Sequence, residues 1–341
     1  MSTKLRMAVF MKNYLFLILF SAIIMICVPL AIIKPPEAKA SEVPTTAPTA
    51  PQSTPEESTP KEPETISVFL TAQQETVDIT LFEYVCGSVA AEMPLAYDTE
   101  AITAQAVACY TNAVRLKKHG TGSDGDISDN TAIHQGYINE DERKEKWGDD
   151  FEKYEKKLQD AVRAVEGLIL TYEGKICVAS FYAISSGHTE TAKNIWGTDV
   201  PYLVSVESAG DHLSSGYASS LTLNTDDFYT CLTKLDSASE KPEGLKDIIK
   251  ITSTSPSGTV LKATVNGKEY TGEEIRSAFG LRSPVFTIKS DKDTLTFSVN
   301  GYGHGAGMSQ YGADYYAKQG YTYEQILSHY YPGTEITPNN T

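Results

Sequence analysis

Three hundred and forty-one residues, 41% apolar and 21% charged, are enough for one large domain or two modest ones with a buried core, and exclude a peptide hormone or a wholly disordered chain. Lys plus Arg number 29 against 44 Asp plus Glu, and the net charge of −15 has the wrong sign for coating DNA or RNA, so no nucleic acid partner is expected.

Residues 1–34 hold Lys4, Arg6, Lys12 and Lys34 and no acid, so the acidic excess lies in the remainder. Tyr14 to Ile33 runs twenty residues without a charge, which at about 1.5 Å per residue matches a hydrocarbon core of about 30 Å. Positive charges ahead of such a span stay cytoplasmic. The favoured reading is therefore a single-pass transmembrane helix at the cell membrane, with everything after it outside the cytoplasm. A cleaved signal peptide competes, because Ala38-Lys39-Ala40 is an A-x-A site. From 35 to 66 the composition turns to Pro, Thr, Ser and Glu, with eight of the sixteen prolines; this reads as a disordered, extended linker. The folded domain is expected over 67–338.

That domain reads as α+β, with mixed helices and antiparallel hairpins. Asp98 or Thr99 caps a helix through about Lys118. A second helix is expected over 142–165, where Phe151, Tyr154, Leu158, Val162 and Val165 form one stripe and Gly167 stops it. Leu168 to Tyr172 and Ile176 to Ile184 read as a hairpin around Glu173-Gly174-Lys175. Further hairpins are expected at 255–258, at Asn266-Gly267 and at 290–293. Thr271-Gly272-Glu273-Glu274 is a capping box opening a short helix that ends at Gly280. Helices over 308–318 and 323–331 close the domain. Cys86, Cys109, Cys177 and Cys231 lack the C-x-x-C spacing of zinc or redox motifs and read as buried free thiols, with a single disulfide of unspecified pairing as the alternative outside the cytoplasm.

Two segments carry chemistry that folding does not require. In Val89-Ala90-Ala91-Glu92-Met93-Pro94 a carboxylate sits in an apolar run, where desolvation raises its pKa toward the protonated form that a general acid needs. The bland alternative is a helix-ending Glu that faces water. Gly301 to Ala313, GYGHGAGMSQYGA, surrounds His304 with glycines that let backbone approach a ligand closely. It fits neither the phosphate-loop nor the dinucleotide pattern. His304 either contacts a ligand or orients Glu92, or else locks the glycine loop to neighbouring carbonyls.

The 301–313 run, the segment from Glu83-Tyr84-Val85 to Ala113 with its AAEMP and TAQAVA, the Asp126–Tyr137 segment, and Ser180 to Trp196 (SFYAISSGHTETAKNIW) together resemble the stage II sporulation protein D family, the SpoIID/LytB domain. The resemblance covers nearly all of 75–332 in one order. It implies a lytic transglycosylase that cuts peptide-stripped peptidoglycan glycan strands during engulfment and leaves 1,6-anhydromuramic acid ends. Glu92 is then the catalytic acid and base, and His304, Tyr302, Ser309, Gln310, Tyr311, Ser186 and His188 line the substrate groove. The implied partners are the glycan strands, a cell-wall amidase and other membrane-anchored engulfment proteins. The LytB branch of the name implies the alternative of a noncatalytic glycan-binding module that enhances an amidase; a structural envelope protein is a third possibility. Some members build a zinc site with cysteines near Gln135–Tyr137. Here only His134 stands there, so neither metal nor other cofactor is expected. The family's Lys, Arg and Tyr in the TAQAVA region are replaced by Thr103, Tyr110 and Asn112, which implies a groove short of one cation.

Overall fold

The computed structural model describes residues 64–119, 125–131 and 133–339. The expected transmembrane segment, and the linker up to residue 63, fall outside them. Among the described residues no helix is long and apolar enough to cross a membrane.

The architecture is mixed α+β with mainly antiparallel sheets. It opens on a hairpin missed in the sequence, β1 (Thr65–Leu70) against β2 (Glu75–Thr80), in which Ile66 and Val68 alternate inward. The hydroxyl of Thr80 then accepts from the Glu83 amide, 3.2 Å, and starts α1 (Leu81–Glu92). Met93, forced toward extended geometry by Pro94, ends that helix at φ −124° and ψ 138°. Helix α2 (Thr99–His119) begins where Asp98 Oδ1 accepts from the Glu100 amide at 3.0 Å. Ala101, Ala104, Ala106 and Ala108 are fully buried on several sides of it, so neighbouring helices approach closely. A short β3 (Ile127–Ser128) adds in parallel to β1.

The helix expected over 142–165 is two helices, α3 (Glu140–Trp147) and α4 (Phe151–Ala164), joined by a 3₁₀ turn. Gly148 at φ 49° caps the first, and an Asn139/Glu142 capping box starts it. The hairpin of β4 (Leu168–Tyr172) with β5 (Lys175–Ile176) forms as expected, but it is shorter. Residues 181–182 instead form β6 (Phe181–Tyr182), which pairs in parallel with a strand far down the chain.

After α5 (Ala192–Trp196) the chain builds β7 (Ala218–Asn224), α6 (Thr225–Leu235), β8 (Ile249–Thr254), β9 (Val260–Val265), β10 (Lys268–Tyr270), α7 (Gly272–Phe279), β11 (Phe286–Ser290) and β12 (Thr294–Asn300). The expected turns and the Thr271/Glu274 capping box fall among these, with Gly280 left-handed at φ 68° behind α7. This stretch has its own core, in which Phe228, Phe279, Phe286 and Phe297 meet ring to ring. The strand that receives β6 is β13 (Met308–Ser309), so α8 (Gln310–Lys318) starts two residues later than the sequence suggested. Helix α9 (Tyr323–Tyr330) and β14 (Glu335–Pro338), paired with β4, return to the first core around α1 and α2. Cys86, Cys109 and Cys177 are buried free thiols, and Cys231 is a half-buried one.

Candidate functional site

The last residue of α1 decides the character of the main groove. Glu92 projects from the helix end, where the unsatisfied carbonyls already disfavour a second negative charge. Gly136 N–H donates to its Oε1 at 2.5 Å. A side chain at 136 would be tight, since a Cβ there would lie 3.1 Å from that oxygen and 3.1 Å from the Ala91 methyl. Lys146 Nζ reaches the Ala90 carbonyl at 2.7 Å, covering the same helix end. Burial raises the Glu92 pKa above the usual 4.5, against the smaller opposing pull of the Gly136 hydrogen bond and the Lys146 charge. The carboxyl neither ends in water nor lies sealed away.

Glu92 lines a groove of about 750 Å³ whose other walls come from α2, Thr131, residues 133–135, β6, α5, α7 and the glycine loop. Among the described residues that line it, Glu92 is the single carboxylic acid. Trp196 is 46% exposed and Tyr302 45%, each presenting an aromatic surface. Gln310 lines the groove while 5% exposed, and its Nε2 has no hydrogen-bond partner. A buried amide donor left unpaired costs free energy unless a ligand meets it.

His304 also faces the groove, and its nitrogens are largely spoken for. Nδ1 accepts from the Ala306 amide at 3.1 Å, and the ring has a backbone hydrogen bond at Phe181. Tyr182 and Trp196 flank it at 5.5 and 5.1 Å between centroids. Burial, then the Arg276 charge, lower its pKa to about 4, so it is neutral at pH 7. Of the two roles open in the sequence, the geometry favours locking the loop. Gly307, at φ 87°, completes that lock: a Cβ there would lie 1.9 Å from the Ser180 carbonyl, against which Met308 makes its strand bond.

Glu92, Tyr302, His304 and Gln310 thus converge, whereas the other four residues named from the sequence do not line the groove. Ser309 is fully buried and caps α8 by accepting from the Gly312 amide, 3.1 Å, while donating to Asp211 Oδ1 at 2.5 Å. Asp211 accepts also from the Ser185 amide and the Ser208 hydroxyl, and burial pushes its pKa up to about 6. Ser309→Ala therefore removes a cap and a donor to a buried carboxyl. It should lower stability by about 1–3 kcal/mol, as chemical denaturation checks, without touching a residue that lines the groove. Tyr311 turns edge-on to Tyr97 at 6.1 Å. Ser186 donates to the Ser257 carbonyl at 3.2 Å, and His188 is exposed, bridged to Glu207 along the backbone.

The expected shortage of groove cations is corrected. Tyr110 is a core residue, 7% exposed, and Thr103 is buried on α2, so neither position faces the groove. Arg115, further along α2, and Arg276 of α7 do. Arg276 is held by Glu273, 2.5 Å, and Arg282 stacks over the Tyr302 ring at 4.3 Å. Trp196, Arg115 and Arg276 went unnamed as site residues. Arg115 was legible as one helical turn past Asn112, but nothing local marks Arg276. Trp196→Ala should weaken the binding of a ligand held in the groove, measured by titration, and leave the melting point near that of wild type because the ring is half exposed.

The structure defines an α+β protein with an open, cation-bearing groove around one partly buried carboxyl. A family model described as stage II sporulation protein matches residues 71–172. Stage II sporulation protein D of Bacillus subtilis (strain 168) is 40% identical over 279 residues, 81% of this chain and 79% of that one. Its counterpart from Bacillus amyloliquefaciens is 38% identical over the same shares of the two chains. An amidase enhancer from Bacillus subtilis (strain 168) is 30% identical over 74% of this chain and 40% of its own. The chain belongs to the stage II sporulation protein D family, which carries a sporulation role and a relation to the cell wall.

Proposed function

We propose that the protein is a lytic transglycosylase acting on peptide-stripped peptidoglycan strands during engulfment. The observation that carries this reading is Glu92: a carboxyl biased toward its protonated form, set in a groove with no other described acid. Hydrolases of glycosidic bonds ordinarily use two carboxyls at a defined separation. One suffices here if it acts twice. Protonated Glu92 gives its proton to the oxygen linking N-acetylmuramic acid to N-acetylglucosamine, the C1–O bond breaks, and an oxocarbenium-like sugar forms. The Glu92 carboxylate then takes the proton of the same sugar's O6–H as O6 bonds to C1. The 1,6-anhydro ring closes, Glu92 is protonated again, and no water is consumed. In this scheme neutral His304 holds the loop and Tyr302 and Trp196 carry sugar faces.

The proposal places the span at 14–33 in the cell membrane and the 67–338 domain outside the cytoplasm, among an amidase that supplies stripped strands and other anchored engulfment proteins. A second reading, a noncatalytic module that enhances an amidase, is favoured by the similarity to the amidase enhancer. Mass spectrometry of strands treated with the full-length chain separates the two. Anhydromuramic ends support the transglycosylase, reducing ends mean hydrolysis, and bound but uncut glycan selects the enhancer.

A further inference from the structure

Arg115 lies on the groove side of α2, half-buried, with its Nε shielded from solvent and without a hydrogen-bond partner. Desolvation pulls its pKa below the usual guanidinium value, against the smaller opposing pull of Tyr202, and among the described residues no carboxylate forms an ion pair with it. The neighbouring His134 is no counterion, since burial and Arg115 itself push its pKa down. Elsewhere the chain pairs its cations near this groove: Arg276 with Glu273, and Lys146 with the Ala90 carbonyl. An arginine without an ion pair among the described residues, in a protein with 44 acids and 29 bases, is conspicuous. A partly desolvated guanidinium is costly unless an anion meets it.

Arg115 and Glu92 line the same groove, so a strand bound against the acid also meets the cation. On a peptidoglycan strand every sugar is neutral except for the lactyl ether of muramic acid. That group is an amide while a stem peptide is attached and a free carboxylate once it has been removed. We propose that Arg115 pairs with the lactyl carboxylate of a muramic acid beside the cleaved bond, and so makes the groove select stripped over peptide-bearing strands. This rests on the reading of the groove as a glycan site.

The test measures binding by the full-length chain in detergent, carrying Glu92→Gln so that strands stay whole. Three ligands are compared: peptide-free strands, the same strands with lactyl carboxylates coupled to methylamine, and chitin oligosaccharides of matching length. The carboxylate strands should bind tighter than the methylamides by about tenfold or more, and the advantage should shrink with added salt. Arg115→Gln should erase that advantage and leave methylamide and chitin affinity unchanged, while Arg115→Lys keeps part of it. Equal affinity for carboxylate and methylamide strands overturns the proposal, as does Arg115→Gln weakening all three ligands alike. The two readings fail separately. Selective binding by a wild-type chain that never produces anhydro ends sinks the transglycosylase and spares Arg115, whereas cleavage without carboxylate preference does the reverse.

Discussion

Glu92→Gln should lower glycan cleavage by about a thousandfold or more, the scale of a general acid–base contribution, while the protein stays folded. The amide oxygen can still accept from Gly136 N–H, which holds the wild-type carboxyl at 2.5 Å, so the side chain keeps its place and loses only its proton chemistry. Stability moves the opposite way from activity. Burial raises the folded pKa of Glu92 above 4.5, so the fold prefers the protonated carboxyl. The stability this group contributes is complete below 4.5, the unfolded value, and is lost as pH rises through the folded pKa. Gln is neutral throughout, so the variant should melt above wild type at neutral pH, and the gap should close on acidification below 4.5. Wild-type kcat/KM should fall over the same upper window, where the donor form disappears. Full cleavage by the variant ends the proposed mechanism; a stability gap that widens in acid means that Glu92 is not desolvated.

What the sequence revealed and what it hid have physical reasons. Glu92 was legible because an apolar run, a carboxylate and a proline fall together, and the proline does set the helix end at Met93. The glycine loop was legible because left-handed backbone at Gly303, Gly305 and Gly307 leaves few other residues possible. Ser309 misled because its local signal, a serine opening a helix, is the same whether it caps that helix or touches a ligand; only the buried Asp211 decides. The split between α3 and α4 was hidden because Gly148 stands in a polar run ahead of the apolar stripe, where a glycine reads as helix until its backbone turns to φ 49°. Arg276 was out of reach altogether: it enters the groove from the second core, a long-range fact that no window of residues contains.

The largest expected loss of stability lies behind the groove rather than in it. Arg143 on α3 is fully buried and forks onto Glu155 of α4, Nε to Oε2 at 2.9 Å and Nη2 to Oε1 at 3.0 Å, while Nη1 reaches Glu83 of α1 at 2.8 Å. One guanidinium thus ties together the helix that ends in Glu92 and the helix that sends Lys146 to cover that end. Arg143→Ala leaves Glu155, itself 8% exposed, as an uncompensated charge. The cost should be about 3–5 kcal/mol, read as a melting point lower by about 6–20 °C at 2–4 °C per kcal/mol. The cost measures the orphaned charge rather than the worth of the ion pair, because burying the pair already offsets most of its attraction. Arg143→Met combined with Glu155→Leu should therefore recover at least half of the loss, although it removes more interactions than the single change. Below its melting point the Arg143→Ala protein should still cut glycan, within about tenfold of wild type, since the helix end and the Gly136 hydrogen bond do not depend on Arg143 directly. A single variant that melts like wild type would show that the three helices are held by apolar packing alone. A double variant no better than the single would show that the ion pair itself is strongly stabilising, a stronger role than buried pairs usually have.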